Sequence, residues 1–183
     1  MIKNFLKEYQ SYRRIGEKAL AQVPDEALNR VIGADNNSVA VIVRHISGNL
    51  RSRFTDFLTS DGEKPWRDRD AEFADLTYDR QAVEQMWAEG FQVVENELAA
   101  LTDADLDRQV TIRNVPHTVH EALCRSVAHT AYHVGQIVLL ARILNQGDWQ
   151  WISIPKGKSL DVNQKMMQEN KGDDIFDSPA SVE

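Results

Sequence analysis

Two histidines four residues apart, His129 and His133, lie in a stretch from Glu121 to Asn145 that reads as one long amphipathic helix. At 3.6 residues per turn, positions i and i+4 stack on one helical face. That face runs on through Gln136 to the apolar Leu140, so both imidazoles are expected to point inward. A third histidine, His45, sits in VAVIVRHISGNL, a second helix-patterned segment. Neutral imidazole nitrogens are ligands for zinc, nickel, copper or iron. Two from one helical turn and a third from another helix leave coordination positions open, as in catalytic zinc sites; structural sites are closed by four ligands. The expectation is a divalent metal held by His45, His129 and His133. The competing reading is three core histidines bonded to backbone carbonyls.

Other candidates fall away or take supporting places. Zinc metalloproteases carry Glu directly after the first His of a His-Glu-x-x-His helix, but Thr130 follows His129 here. Cys124, five residues before His129, is about 140° away round the helix and should not reach the same ion; a buried, inert thiol is expected. His117 and His120 fall in a loop and at a helix start, where surface or capping roles are expected, with His120 a fourth ligand only if the loop folds over. Asn49, Ser52 and Gln136 share the faces of the histidines and are the candidates for supporting contacts around the ligands. Arg51 and Arg53 are available to an acidic substrate group, although pairing with Asp61 or Glu63 is the stronger expectation. No catalytic side chain stands out beyond these.

The composition narrows the classes of function. The chain has 183 residues, 42% hydrophobic and 27% charged, which suits one domain with a full core. A formal net charge of -7 without a lysine- or arginine-dense face argues against nucleic acid as a partner. Apolar runs such as IVLLA are too short to span a bilayer, and MIKNFLKEYQSYRR lacks the apolar centre of a signal peptide. With one cysteine, no intrachain disulfide can form. A cytoplasmic protein is expected.

Four helical patterns must position the histidines. The first covers residues 2–23, with Phe5, Tyr9, Tyr12, Gly16, Ala19 and Val23 on one face. A connector follows, with Gly33 and an Asn pair as turn residues. Ser38 is a candidate N-cap for the second helix, which is expected to reach about Thr59 and places His45 where an apolar stripe turns polar. Gly48, costly inside a helix, is read as allowing a close approach or access to the site. TSDGEKPWRDRDAEFADL reads as an ordered crossing loop anchored by Trp66 and Phe73, its alternating charges solvated. The third helix is expected from Thr77 to Leu101, followed by a helical turn in TDADLD. RQVTIRNVPHTV reads as a short hairpin or extended cover, and Thr118 with Glu121 forms the capping box that opens the fourth helix. Gly147 suits a left-handed position after that helix. An extended stretch, WQWISIPKGKSL, and a short helix over Ser159–Glu169 follow. The fold class is all-α, a four-helix bundle with a short extended C-terminal appendage. Residues 1–165 make the domain and 166–183 a polar tail.

VRHISGNLRSRF around His45 and VAHTAYHVGQIVLLAR around His129 and His133 resemble the DinB/YfiT-like metal-binding superfamily. NNSVAVIVRHISGNLRSRFTDFL, TSDGEKPWRDRDAEF and WISIPKG are similar to a branch of that superfamily without assigned function. The resemblance covers about residues 1–165. It implies an up-down-down-up bundle, often a homodimer, with a metal triad at His45, His129 and His133. The ion in such proteins is zinc, nickel or another divalent metal. Some members are thiol S-transferases that use low-molecular-weight thiols such as bacillithiol or mycothiol, and others are maleylpyruvate isomerases. The expected function is a metal-dependent enzyme of thiol S-transferase type acting on a small-molecule substrate, with the thiol bound as thiolate. A metal-dependent hydrolase and a non-catalytic metal- or ligand-binding bundle are the alternatives, since fold membership does not fix a reaction.

Overall fold

The computed structural model describes residues 1–169 and is mostly helical. Five helices are present in chain order, α1 (Ile2–Leu20), α2 (Val39–Phe54), α3 (Arg80–Ala100), α4 (Val119–Leu144) and α5 (Ser159–Glu169), with one hairpin of β1 (Gln109–Ile112) and β2 (Val115–Thr118). From position 170 onward, the tail expected over 166–183 lies outside the described residues.

Local chemistry sets the helix ends. The Ser38 hydroxyl accepts from the Val41 N–H and opens α2, and Asp79 accepts from Ala82 N–H to open α3. Thr118 and Glu121 form the expected reciprocal capping box at α4. A single turn of 3-10 helix over Asp103–Asp105 fills the TDADLD segment. Two expectations are corrected. The second helix stops at Phe54 rather than near Thr59, because Thr55 turns extended and Asp56 enters the left-handed region at φ 49°. That break swings Phe57 into the core. Gly147 is not left-handed, since α4 ends through an extended Asn145, whose side chain accepts from Gly147 N–H.

Tyr9, Ile46, Leu50, Phe54, Phe91, Leu98, Leu123 and Ile137 are essentially inaccessible and come from all four long helices. α2 packs mainly on α3, and α1 on both α4 and α3, with a further seam between α2 and α4. The last seam is the one that brings His45 toward His129 and His133. α4 is long and apolar enough to cross a bilayer by length and composition alone. Its inward face instead fills the core.

The hairpin turns on Arg113 and Asn114, at φ 55° and 61°, a two-residue turn with both central residues left-handed. Asp61 clamps it. Its carboxylate accepts from the N–H groups of Glu63, Arg113 and Asn114 at 2.7, 2.8 and 2.8 Å. Burial opposes the charge on Asp61, but these donors outweigh it and hold the carboxyl far below its usual range. The hairpin is thereby fixed over the loop that follows α2. At the other end, Gln22 and Gln150 exchange side-chain and backbone hydrogen bonds, pinning the extended C-terminal segment to the end of α1.

α3 reaches α2 this closely only because position 90 is glycine. A Cβ there would stand 2.8 Å from the Cα of Ser47, a backbone atom that cannot step aside. Gly90→Ala is therefore expected to cost about 1–3 kcal/mol in chemical denaturation, as overpacking does. A variant as stable as the wild type would refute this tight seam.

Candidate metal centre

The i, i+4 spacing on α4 sets the His129 and His133 rings side by side, with their Nε2 atoms 3.2 Å apart. α2 presents His45 from across the interface, with its Nε2 atom 3.3 Å from that of His129. Across the trio, one candidate ligand atom from each histidine lies within 4.8 Å of the others, and no further His, Cys, Asp or Glu joins the group among the described residues. Tetrahedral ligands at about 2.0–2.1 Å from an ion stand about 3.3 Å from one another. The two Nε2 spacings match that edge.

The outward nitrogens of two rings are held. His45 Nδ1 donates to Glu72 Oε2 at 2.8 Å, and both side chains are almost wholly buried. Arg67 grips the same carboxylate through Nε at 2.8 Å and Nη2 at 3.0 Å. Burial would raise the Glu72 pKa, but the hydrogen bonds from His45 and Arg67 and the guanidinium charge outweigh it and hold the carboxyl ionised. His133 Nδ1 donates to Gln136 Oε1 at 2.7 Å, an orientation set by Gln136 Nε2 donating to the Tyr132 hydroxyl at 3.1 Å. Phe73 lies against the His45 ring, with centroids 4.8 Å apart.

A count of protons tests whether these residues suit a metal. An ionised carboxylate only accepts, so Nδ1 of His45 carries a proton, and in the neutral form that a metal requires the lone pair is on Nε2. The Gln136 oxygen imposes the same tautomer on His133. Burial pushes His129 down to about 4, aided by the neighbouring His133 and His45 rings and by Arg67 and Arg53. His133 is lowered too, chiefly by burial, against the support of Gln136 and with repulsion from His45. A neutral His129 has one N–H to offer, yet two inward lone pairs face it. Hydrogen bonding among the three rings therefore leaves at least one lone pair without a partner. The donor set of three convergent imidazole nitrogens, anchored behind, fits a divalent ion and does not fit a self-sufficient hydrogen-bonded core.

His45 and His129 also line a cavity of about 410 Å³, backed by Phe54, Phe57 and Ile112. Asn49 lines it as well. Ser52 does not support the histidines; its hydroxyl donates to Gly62 O at 2.7 Å and accepts from Lys64 N–H, tying the loop to α2. His120 stays apart, edge-on to Phe5 and 3.6 Å from the Cys124 sulfur. Cys124 is exposed, not buried.

The crossing loop brings the main correction. Its charges were expected to be solvated, but Arg67 and Glu72 are 2% and 7% exposed, and Lys64 is buried. Arg67 and Glu72 go inside because they pair with each other and with His45, and the Lys64 ammonium donates to the Asp61 carbonyl at 2.6 Å. Trp66, an expected anchor, is exposed beneath Arg51. Glu72 has no signature in spacing. The signal that points to it is Gly48, one turn after His45 on the same face, where a Cβ would collide with the Glu72 carboxylate.

Residues 1–158 match the family model described as "Protein of unknown function (DUF1572)". No curated protein matches the chain.

If Glu72 sets the orientation of His45, Glu72→Gln should weaken divalent-metal affinity by about 10–100-fold, the usual effect of removing such a partner. Competition against a chromophoric chelator reads this. Gly48→Ala, which leaves Arg67 its carboxylate but displaces it from the ring, should weaken binding in the same direction. Unchanged affinity in both variants would remove Glu72 from the site.

Proposed function

Since the chain belongs to the family of unknown function DUF1572, we propose from its site that it is a divalent-metal-binding protein and a metal-dependent enzyme of thiol S-transferase type. The observation that carries this reading is the convergence of three imidazole Nε2 atoms whose outer nitrogens are already committed. His45, His129 and His133 would hold the ion, with zinc or nickel suited to imidazole donors. When bound, such an ion supplies Lewis acidity that lowers the pKa of a small thiol brought against it.

The chain's own residues support a reactive rather than a closed site. Only three ligands converge among the described residues, and two of them line a cavity large enough for a small molecule. Glu72 and Gln136 fix the ring orientations, Phe73 covers one side of His45, and the depressed pKa of His129 keeps it a neutral ligand. The packing of α1 on α3 and α4, with α2 on the same two helices, supports the up-down-down-up DinB-like bundle as the architecture. Activation of water for hydrolysis would use the same ion and is the second outcome to test.

Elemental analysis of protein purified without a metal-affinity tag is expected to find close to one divalent ion per chain, absent from His129→Ala. Equal metal content in the two proteins would end the reading. Metal-loaded protein incubated with small thiols and monochlorobimane should form a metal-dependent adduct. Removing the ion should lower the melting temperature without unfolding the chain, the behaviour of a native-state ligand rather than of a structural ion.

A further inference from the structure

The cavity in front of His129 has an electrostatic character opposite to that of the chain. Its lining includes Arg53, Arg67, Arg69, Arg113 and Arg125 and, among the described residues, no carboxylate, in a protein of net charge -7. Among the described residues, Glu63 and Glu72 are the acids that pair with these guanidiniums. Glu63 is shared by Arg53 at 3.3 Å, Arg113 at 2.9 Å and Arg67 at 3.7 Å, while Glu72 is taken up by Arg67 and His45. Asp61, another acid in this region, is engaged by backbone N–H groups of the loop and hairpin.

Two arginines have no carboxylate partner among the described residues. Arg125 belongs to α4, one turn before His129 on the same face, and Arg69 lies over the Phe73 ring at 5.3 Å. Deeper in the wall, Arg67 is 2% exposed, yet its Nη1 has no hydrogen-bond acceptor. Glu63 Oε1 faces that nitrogen at 3.7 Å, beyond hydrogen-bond reach, and a buried guanidinium N–H without an acceptor costs free energy that an incoming oxyanion would relieve. Guanidinium groups match planar oxyanions with paired donors.

We infer that the cavity binds a small molecule through an oxyanionic group, a carboxylate or a phosphoryl group. Arg125 and Arg69 receive it at the mouth, Arg67 Nη1 receives it within, and the rest of the molecule is directed toward His129. This names the substrate class for the activity proposed above and rests on that reading only for the word substrate. The positive field of the cavity also draws such anions in against the overall negative charge of the chain.

Isothermal titration calorimetry of the full chain, metal-loaded and chelator-treated, tests this with three probes: succinate, its neutral diamide succinamide, and inorganic phosphate. Succinate or phosphate should bind and the diamide should not. Which anion binds more tightly separates the carboxylate source from the phosphoryl one. Arg125→Gln and Arg69→Gln alter exposed side chains with no carboxylate to release, and each should weaken binding about 10- to 100-fold, the loss of a charge-assisted contact. An unchanged melting temperature in both variants would exclude misfolding as the cause. Equal binding of succinate and succinamide overturns the inference. So does anion binding that disappears on chelation and ignores both arginine variants, since the anion then sits on the ion alone. Metal uptake without anion binding removes the oxyanion and leaves the metal reading. Anion binding in a protein that takes up no metal does the reverse.

Discussion

Three imidazoles in their neutral form, facing one another, present more lone pairs than protons, and the arrangement around them depends on how that mismatch is kept in place. Left to itself, a histidine ring at a helix interface rotates to find a donor and an acceptor. Here His45 and His133 cannot, because Glu72 and Gln136 each take the proton on the far nitrogen and leave the near one bare. The cost of that exposure in a half-dry site is the same quantity that makes the site attractive to a cation. The geometry is thus prepared by the partners behind the rings as much as by the rings themselves.

The partners bring their own cost. Arg67 and Glu72 form an ion pair with almost no exposed side-chain surface, and a buried pair seldom adds net stability over apolar residues of similar size. What the pair does supply is position. The carboxylate is held from one side by a bidentate guanidinium and from the other by His45, so it has one place to be. Gly48 leaves the space into which that carboxylate fits. The loop carrying Arg67 and Glu72 is anchored by Ser52 and Lys64 on one side and by Asp61 under the hairpin on the other. A segment with little hydrophobic content therefore orders a core histidine through polar contacts.

This division explains what could be read from the sequence. Periodicity and capping chemistry located α1 to α5 to within a few residues, because burial of a helical stripe and the needs of the first helical turn are local properties. The short hairpin was legible from its β-branched residues around Asn114. The three histidines were legible for the same reason, two by spacing and one by its place at the end of an apolar stripe. Glu72, Arg67 and the exposed state of Cys124 were not. An alternating run of Arg and Asp looks solvated in any composition count, and only the tertiary fold decides which charges find partners inside. Gly48 was the one local trace of that arrangement, and it declared a need for space without naming what fills it. The length of α2 was overread because helical propensity continues past Phe54, whereas the core requires Phe57 to turn inward.

The three histidines are not equivalent toward the solvent side. His45 and His129 form part of the cavity wall, whereas His133 is enclosed by Gln136 and Tyr132, its ring edge-on to the tyrosine at 4.8 Å. The cavity gives a small molecule an approach to the cluster past the arginines and over His129. Phe54, Phe57 and Ile112 give that cavity apolar wall alongside the guanidiniums. A neutral apolar molecule gains from only one of these walls, and a fully hydrated ion from the other. The occupant that gains from both has a charged oxyanion at one end and an uncharged body, and such a molecule would arrive at the imidazoles already oriented. Orientation before contact is where a site built from fixed dipoles and fixed charges gains over water, since the groups need not reorganise when the reacting atoms meet.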